Sequence, residues 1–119
     1  AFSGWARFSA DRAARQILGQ RITTIETMGS YACRNAGVID QLSAHADVAA
    51  IDVVGFVLAD GRRISVKRDW QGGDAATREF LRVVHRSACK RFARVLGPEY
   101  DAAHIDRFHL GQGSEQLCR

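Results

Sequence analysis

Apolar and polar positions along the 119-residue chain fall into stretches of different period. Over residues 2–18, Trp5, Phe8, Ala13 and Ile17 are compatible with one face of a helix, and Gly19 supplies its stop. An aromatic residue at helical spacing is core far more often than ligand platform, so Trp5 reads as packing. Over residues 21–27 the β-branched Ile22, Thr23, Thr24, Ile25 and Thr27 favour a strand, which Met28, Gly29 and Ser30 break. Residues 35–41, with Gly37 and no sustained period, read as a loop.

An apolar strand is expected at residues 51–58, followed by Asp60-Gly61, a strong hairpin signal, and a second strand over 62–67. Asp74 is placed to cap a long helix. Phe80, Leu81, Val84, Ala88, Phe92 and Val95 recur at three- and four-residue steps up to Gly97-Pro98, predicting one helix that covers a face of the sheet. Phe108 and Leu110 alternate with His109, which suits a short strand with His109 on the opposite face. Hairpin chemistry with few helical crossovers gives an α+β class, a small antiparallel sheet packed by helices. The length and a hydrophobic content of 46% suit a single domain over 1–119, and no internal repeat or linker interrupts it.

A net charge of +4 and a pI near 9.4 suit an anionic environment such as a cell wall or membrane surface. Nucleic acid is not expected as a partner, because the arginines are scattered and no nucleic-acid-binding motif is present. No apolar run approaches the ~18 residues of a membrane span, and no signal peptide remains. Cys33, Cys89 and Cys118 fit either reduced thiols or one disulfide with an odd partner. A bridge between Cys89 and Cys118 would tie the C-terminus to the core and leave Cys33 to pair outside this chain.

Asp52 is the anomalous residue of its strand, a carboxylate among Ile51, Val53, Val54 and Phe56. It either faces solvent or is compensated by a cation or several hydrogen bonds. His45 stands seven positions earlier. Seven residues of helix climb roughly 10.5 Å and seven of strand about 23 Å, so both side chains reach one metal ion only if the chain turns between them. His85, on the long helix, reads as structural or exposed.

The Ser43-x-His45-x-x-x-x-Ala50-x-Asp52 pattern resembles the signature of zinc D,D-peptidases that cut peptidoglycan stem peptides, the group with the Hedgehog/D,D-peptidase fold. Residues 29–34, the block from His45 to Asp52, residues 58–66, Val95-Leu96-Gly97-Pro98 and Phe108-His109-Leu110 together resemble bacterial extensin-like C-terminal domain proteins over nearly the whole chain. Three positions depart from those patterns: Val48 replaces a glycine, Ala44 an acidic residue, and Arg107 a second histidine.

The resemblance implies a Hedgehog/D,D-peptidase-like fold, zinc held by His45, Asp52 and His109, and hydrolysis of an amide in stem peptides or crosslinks. It implies Asp106 as general base and Arg34 as support for the developing oxyanion, with Tyr31, Arg34, Ser43 and Arg107 as substrate contacts. His104 is a candidate for supporting a ligand from behind. The resemblance also implies a periplasmic or secreted location. The competing expectation is a cell-wall-binding domain that keeps the metal site without turnover.

Overall fold

The structure is a computed structural model that describes residues 2–28 and 50–119. Residues 2–18 form a helix, α1, in which α-helical turns at Phe2–Trp5 and Asp11–Ala13 alternate with π-helical turns at Ala6–Ala10 and Ala14–Leu18. It ends at Gly19, whose φ of 72° is a left-handed conformation that glycine adopts without steric cost. The chain continues as β1 (Ile22–Thr27), β2 (Ala50–Leu58), β3 (Arg63–Ser65), α2 (Val66–Gly72), α3 (Ala75–Ala88), β4 (Arg94–Leu96), a 3-10 turn (Ala102–His104), β5 (Phe108–Gly111) and β6 (Leu117–Cys118).

The π turns lengthen the step of the buried row, which runs through Phe2, Ala6, Ala10 and Ala14 with Trp5 and Ala13 beside it. Phe8 falls off that row and is 62% exposed, a correction to the apolar face expected from a 3.6-residue period. Trp5 is fully buried and its Nε1 donates to the Val84 carbonyl at 3.0 Å, fastening α1 to α3.

The strands form one sheet in the order β1-β2-β5-β4-β6. On the side of β2 away from β1, its first half pairs with β5 and its second half with β3. Gly55 sits where β3 comes close: a Cβ there would lie 2.6 Å from the Ile64 carbonyl oxygen. Between Glu26 and Thr27 the partner in β2 jumps from Gly55 to Val53, a bulge that reverses the parity of the strand. Ile51 and Val53 before it, and Phe56 and Leu58 after it, are therefore all buried. Phe56 joins the layers, its ring 6.4 Å from Trp5 and 5.2 Å from Phe80. Burying each such side chain contributes about 1.5–3 kcal/mol.

The α+β class holds, but the sheet is mixed where an antiparallel one was expected. After β5 the chain passes beyond β4 and pairs on its far edge, so β6 runs antiparallel to β5 and parallel to β4. Two element boundaries also differ. The Asp60-Gly61 hairpin forms as expected, with Gly61 at φ 90°, but its second strand stops at Ser65. There the Ser65 hydroxyl accepts from the Arg68 amide and the Asp69 carboxylate accepts from the Ser65 amide, a reciprocal cap that starts α2. The long helix does begin at the Asp74 cap, whose carboxylate accepts from the Thr77 amide at 2.8 Å, but it ends at Ala88. Phe92 and Val95 are buried as their spacing implies, yet they lie just past the turn at residues 89–91 and on β4.

Cys89, just past α3, is joined to Cys118 on β6 by a disulfide with a Cα–Cα distance of 5.6 Å. The bridge anchors the outermost strand to the helix layer, as the positions of these two cysteines lead one to expect.

Candidate functional site

Antiparallel pairing of β2 with β5 sets Asp52 directly opposite His109. Phe108 and Leu110 point into the core, so His109 takes the other face of the sheet, and its Nδ1 lies 2.8 Å from Asp52 Oδ1. An ionised carboxylate only accepts, so Nδ1 carries the proton and donates, leaving the Nε2 lone pair free in the neutral ring. Side-chain exposures of 28% for His109 and 30% for Asp52 keep both within reach of a ligand. The Asp52 carbonyl accepts from the Met28 amide at 2.9 Å, which holds the end of β1 against the same strand.

Acidic and basic groups surround this pair. Arg107 Nε donates to Asp106 Oδ1 at 2.9 Å. That bond holds the Asp106 carboxyl below its usual pKa, with Lys67 adding a smaller push in the same direction. Arg107 is shifted upward by Asp106 and, more weakly, by Asp52, which ties the two acidic positions into one electrostatic cluster. The His104 ring lies 6.2 Å from the His109 ring, and its Nδ1 is 2.6 Å from Asp101 Oδ1. Asp101 is held below its usual pKa by that contact. Sequence reasoning passed over Asp101; an acid three residues before a histidine, at a turn, was the available signal. From Asp106 a groove of about 330 Å³ extends past Val54 of β2 and along β3, reaching Lys67 and Arg68 of α2.

Asp52, His109, Asp106, Arg107 and His104 thus lie in one region. Tyr31, Cys33, Arg34, Ser43 and His45 fall outside the described residues. Among the described residues, His85, Cys89 and Cys118 also bring potential metal-binding atoms within 4.8 Å of one another. The two sulfurs are bonded to each other, and a disulfide lacks the thiolates that a metal needs.

His85 belongs to the opposite layer. Its ring packs 5.8 Å from Trp70 and 5.5 Å from Phe108, and a Cβ on Gly97 would approach its Nε2 to 3.0 Å. Its Nε2 is sealed from solvent without a formed hydrogen bond among the described residues. Burial holds its pKa below the ordinary histidine value, outweighing the Arg119 backbone and Glu99, which favour the charged ring.

Over residues 1–119 the chain matches the family described as Extensin-like protein C-terminus, and it belongs to that family. No curated protein matches it, and no solved structure does. No helix among the described residues is long and apolar enough to cross a membrane.

Proposed function

We propose that this domain is a zinc-dependent peptidase acting on an amide of peptidoglycan stem peptides or crosslinks in the bacterial cell envelope. The observation that carries the reading is the cross-strand pair of Asp52 and His109, a carboxylate and an imidazole 2.8 Å apart on the open face of the sheet. The donor set suits zinc: His109 keeps Nε2 free, Asp52 keeps a second oxygen, and two such groups in contact can turn toward one small cation. The motif likeness adds His45 as third ligand and the relation to zinc D,D-peptidases.

Zinc, when bound, would supply Lewis acidity and bring the pKa of its water down to about 7. The chain's own residues divide the remaining work. Asp106, ionised under the influence of Arg107, accepts the proton of the attacking water. The same lowered pKa makes it a weaker base than an unpaired carboxylate, so the Asp106–Arg107 bond must loosen as the proton arrives. Arg107 offers a guanidinium group to the oxygen that becomes anionic, and the motif likeness adds Arg34 to that role and Tyr31 and Ser43 as substrate contacts. His104, steered by Asp101, supports His109 from beside it. A disulfide-bonded domain fits the periplasm or the extracellular space.

The second reading is a wall-binding module that keeps the metal without turnover, favoured by the engagement of Asp106 with Arg107. Metal analysis of the purified protein and hydrolysis of purified muropeptides test both. One zinc per chain, lost when His45 and His109 are both replaced by alanine, is expected. Stoichiometric zinc that survives in that double variant removes the metal site from the proposal. Zinc without hydrolysis leaves the binding module.

A further inference from the structure

The corner where α3 meets β6 holds a histidine and two sulfurs that the peptidase reading leaves unused. One ring nitrogen of His85, Cys89 Sγ and Cys118 Sγ all lie within 4.8 Å of one another. His85 and Cys89 are four residues apart at the end of α3, the helical offset that turns two side chains to one face. Cys89 Sγ packs 3.5 Å from the His85 carbonyl oxygen, within the same turn. In the bridged form the sulfurs saturate each other and His85 serves only as a packed ring. Its Nε2 nonetheless stands sealed from solvent with no formed hydrogen bond among the described residues, a buried polar atom that calls for a partner.

The bridge is not all that holds these atoms together. On either side of Cys118, the Leu117 amide donates to the Ala93 carbonyl at 2.7 Å and the Arg119 amide to the Val95 carbonyl at 2.8 Å. The Gly97 amide donates to the Arg119 carbonyl at 2.9 Å, and the Gln116 side-chain amide donates to the Cys89 carbonyl at 2.8 Å. These bonds keep β6 against β4 and α3 when the S–S bond is cut, so both thiols stay beside the imidazole. Cys118 is exposed, which lets a dithiol reach the bridge. His85 also lines a cavity of about 240 Å³ with Arg82, Arg86 and Glu99, which gives an ion access to the ring. Burial, Arg82 and Arg86 favour the neutral imidazole, the form that binds a metal.

We propose that reduction of the Cys89–Cys118 bridge creates a second metal site, separate from Asp52 and His109, in which His85, Cys89 and Cys118 hold one zinc ion. A dithiol reductant supplies two electrons and two protons: the S–S bond breaks, two thiols form, and the reductant leaves as its own disulfide. Zinc then displaces both thiol protons and binds two thiolates and the imidazole, with water in the fourth position. A disulfide oxidant takes the two electrons back, the sulfurs rejoin and the ion leaves. The same corner is thus fastened by a disulfide under oxidising conditions and by zinc under reducing ones. None of this rests on the peptidase reading.

The experiment uses the full chain, reduced with a phosphine that is then removed without air, and titrated with cobalt(II) followed by zinc. Thiolate-to-cobalt charge-transfer absorption arises only from sulfur ligands, so metal at Asp52 and His109 does not contribute to it. The reduced chain should develop this band up to one equivalent of cobalt and lose it to one equivalent of zinc, and the bridged chain should show none. Cys33→Ser should keep the band and Cys89→Ser should abolish it. His85→Phe, checked for native circular dichroism in its bridged form, should weaken zinc binding at least about tenfold, the low end of what losing a mere supporting partner of a ligand costs. In the unmodified reduced chain, zinc should also protect Cys89 and Cys118 from alkylation, a readout that needs no substitution. No band in the reduced chain, a band that is lost in Cys33→Ser or survives in Cys89→Ser, unchanged affinity in His85→Phe, or equal alkylation with and without zinc overturns the assignment.

Discussion

The two faces of β5 each meet a histidine, and the two imidazoles have opposite surroundings. On the core face, Phe108 packs against His85 and Trp70, and burial holds the His85 pKa below the ordinary histidine value. On the open face, His109 stands across from the Asp52 carboxylate, and both side chains are partly exposed. Adjacent residues of one short strand thus sit in a place that suppresses charge and in a place that invites a cation. Residue type alone does not distinguish these histidines; the parity of the strand and the register with β2 do. The rings around His85 stabilise the fold through apolar contact, whereas the groups around His109 are held apart from the core and are available for chemistry.

If the open face is the reactive one, its variants should change rate and leave stability alone. Asp106→Asn keeps the size of the side chain and removes its basicity, and loss of a general base typically costs about 10² to 10⁴ in rate. Muropeptide hydrolysis reduced by that much is expected, with zinc content unchanged and stability lowered by no more than the ~1 kcal/mol of an exposed ion pair. Undiminished turnover would remove Asp106 from the mechanism, and loss of zinc would make it a ligand.

The core face should answer in stability instead. Phe108 is fully buried against two other rings, and truncating such a residue to alanine typically costs about 3–5 kcal/mol. His109→Ala, one residue on, removes a half-exposed side chain and a solvent-screened contact worth about 1 kcal/mol or less. Denaturant unfolding of the two variants measures the contrast directly. Equal losses would mean that His109 is as structural as its neighbour, which would weaken the case for a reactive face.

Much of this division was legible before the structure. The alternation of Phe108, His109 and Leu110 placed the histidine on the opposite face from its neighbours, and Asp52 stood out as a carboxylate in an apolar strand. Asp60-Gly61 and Asp74 were readable because each acts on backbone within three residues. Period and spacing alone could not give the pairing of Asp52 with His109, since a register between residues 57 apart is a property of the assembled sheet, and only the family resemblance put the two at one site. The long helix was overextended because Phe92 and Val95 continue the burial pattern of Phe80, Val84 and Ala88, and periodic burial does not separate a helix from a helix, a turn and a strand. The helix α2 went unread although Ser65 and Asp69 both signal its start. Its short length leaves too few apolar positions for a period to emerge, so only the cap announces it.

The smallest expected effect concerns the suppressed charge itself. His85 has a folded-state pKa below its unfolded value, so near and above neutrality both states hold it neutral and it adds no pH dependence. As pH falls through the ordinary histidine value of about 6.5, the unfolded chain takes up a proton that the folded chain refuses, and stability declines. The decline from this residue ends once pH drops below the lowered folded-state pKa, where both states are protonated. Besides burial, the groups that bear on the ring are the Arg119 backbone and Glu99, which favour its charged form, and Arg82 and Arg86, which oppose it. Asp69, Asp74, Asp101 and Asp106 also titrate with the fold, but their folded-state pKa values are lowered from the carboxylate range, so their contributions are lost only at about pH 4 and below. Between pH 7 and 5 the thermal midpoint should therefore fall in the unmodified chain, and by less in His85→Phe, which fills the niche between Trp70 and Phe108 with another ring and no titrating nitrogen. An identical fall in both proteins would assign the pH dependence to other groups and would leave His85 a packed ring like its neighbours.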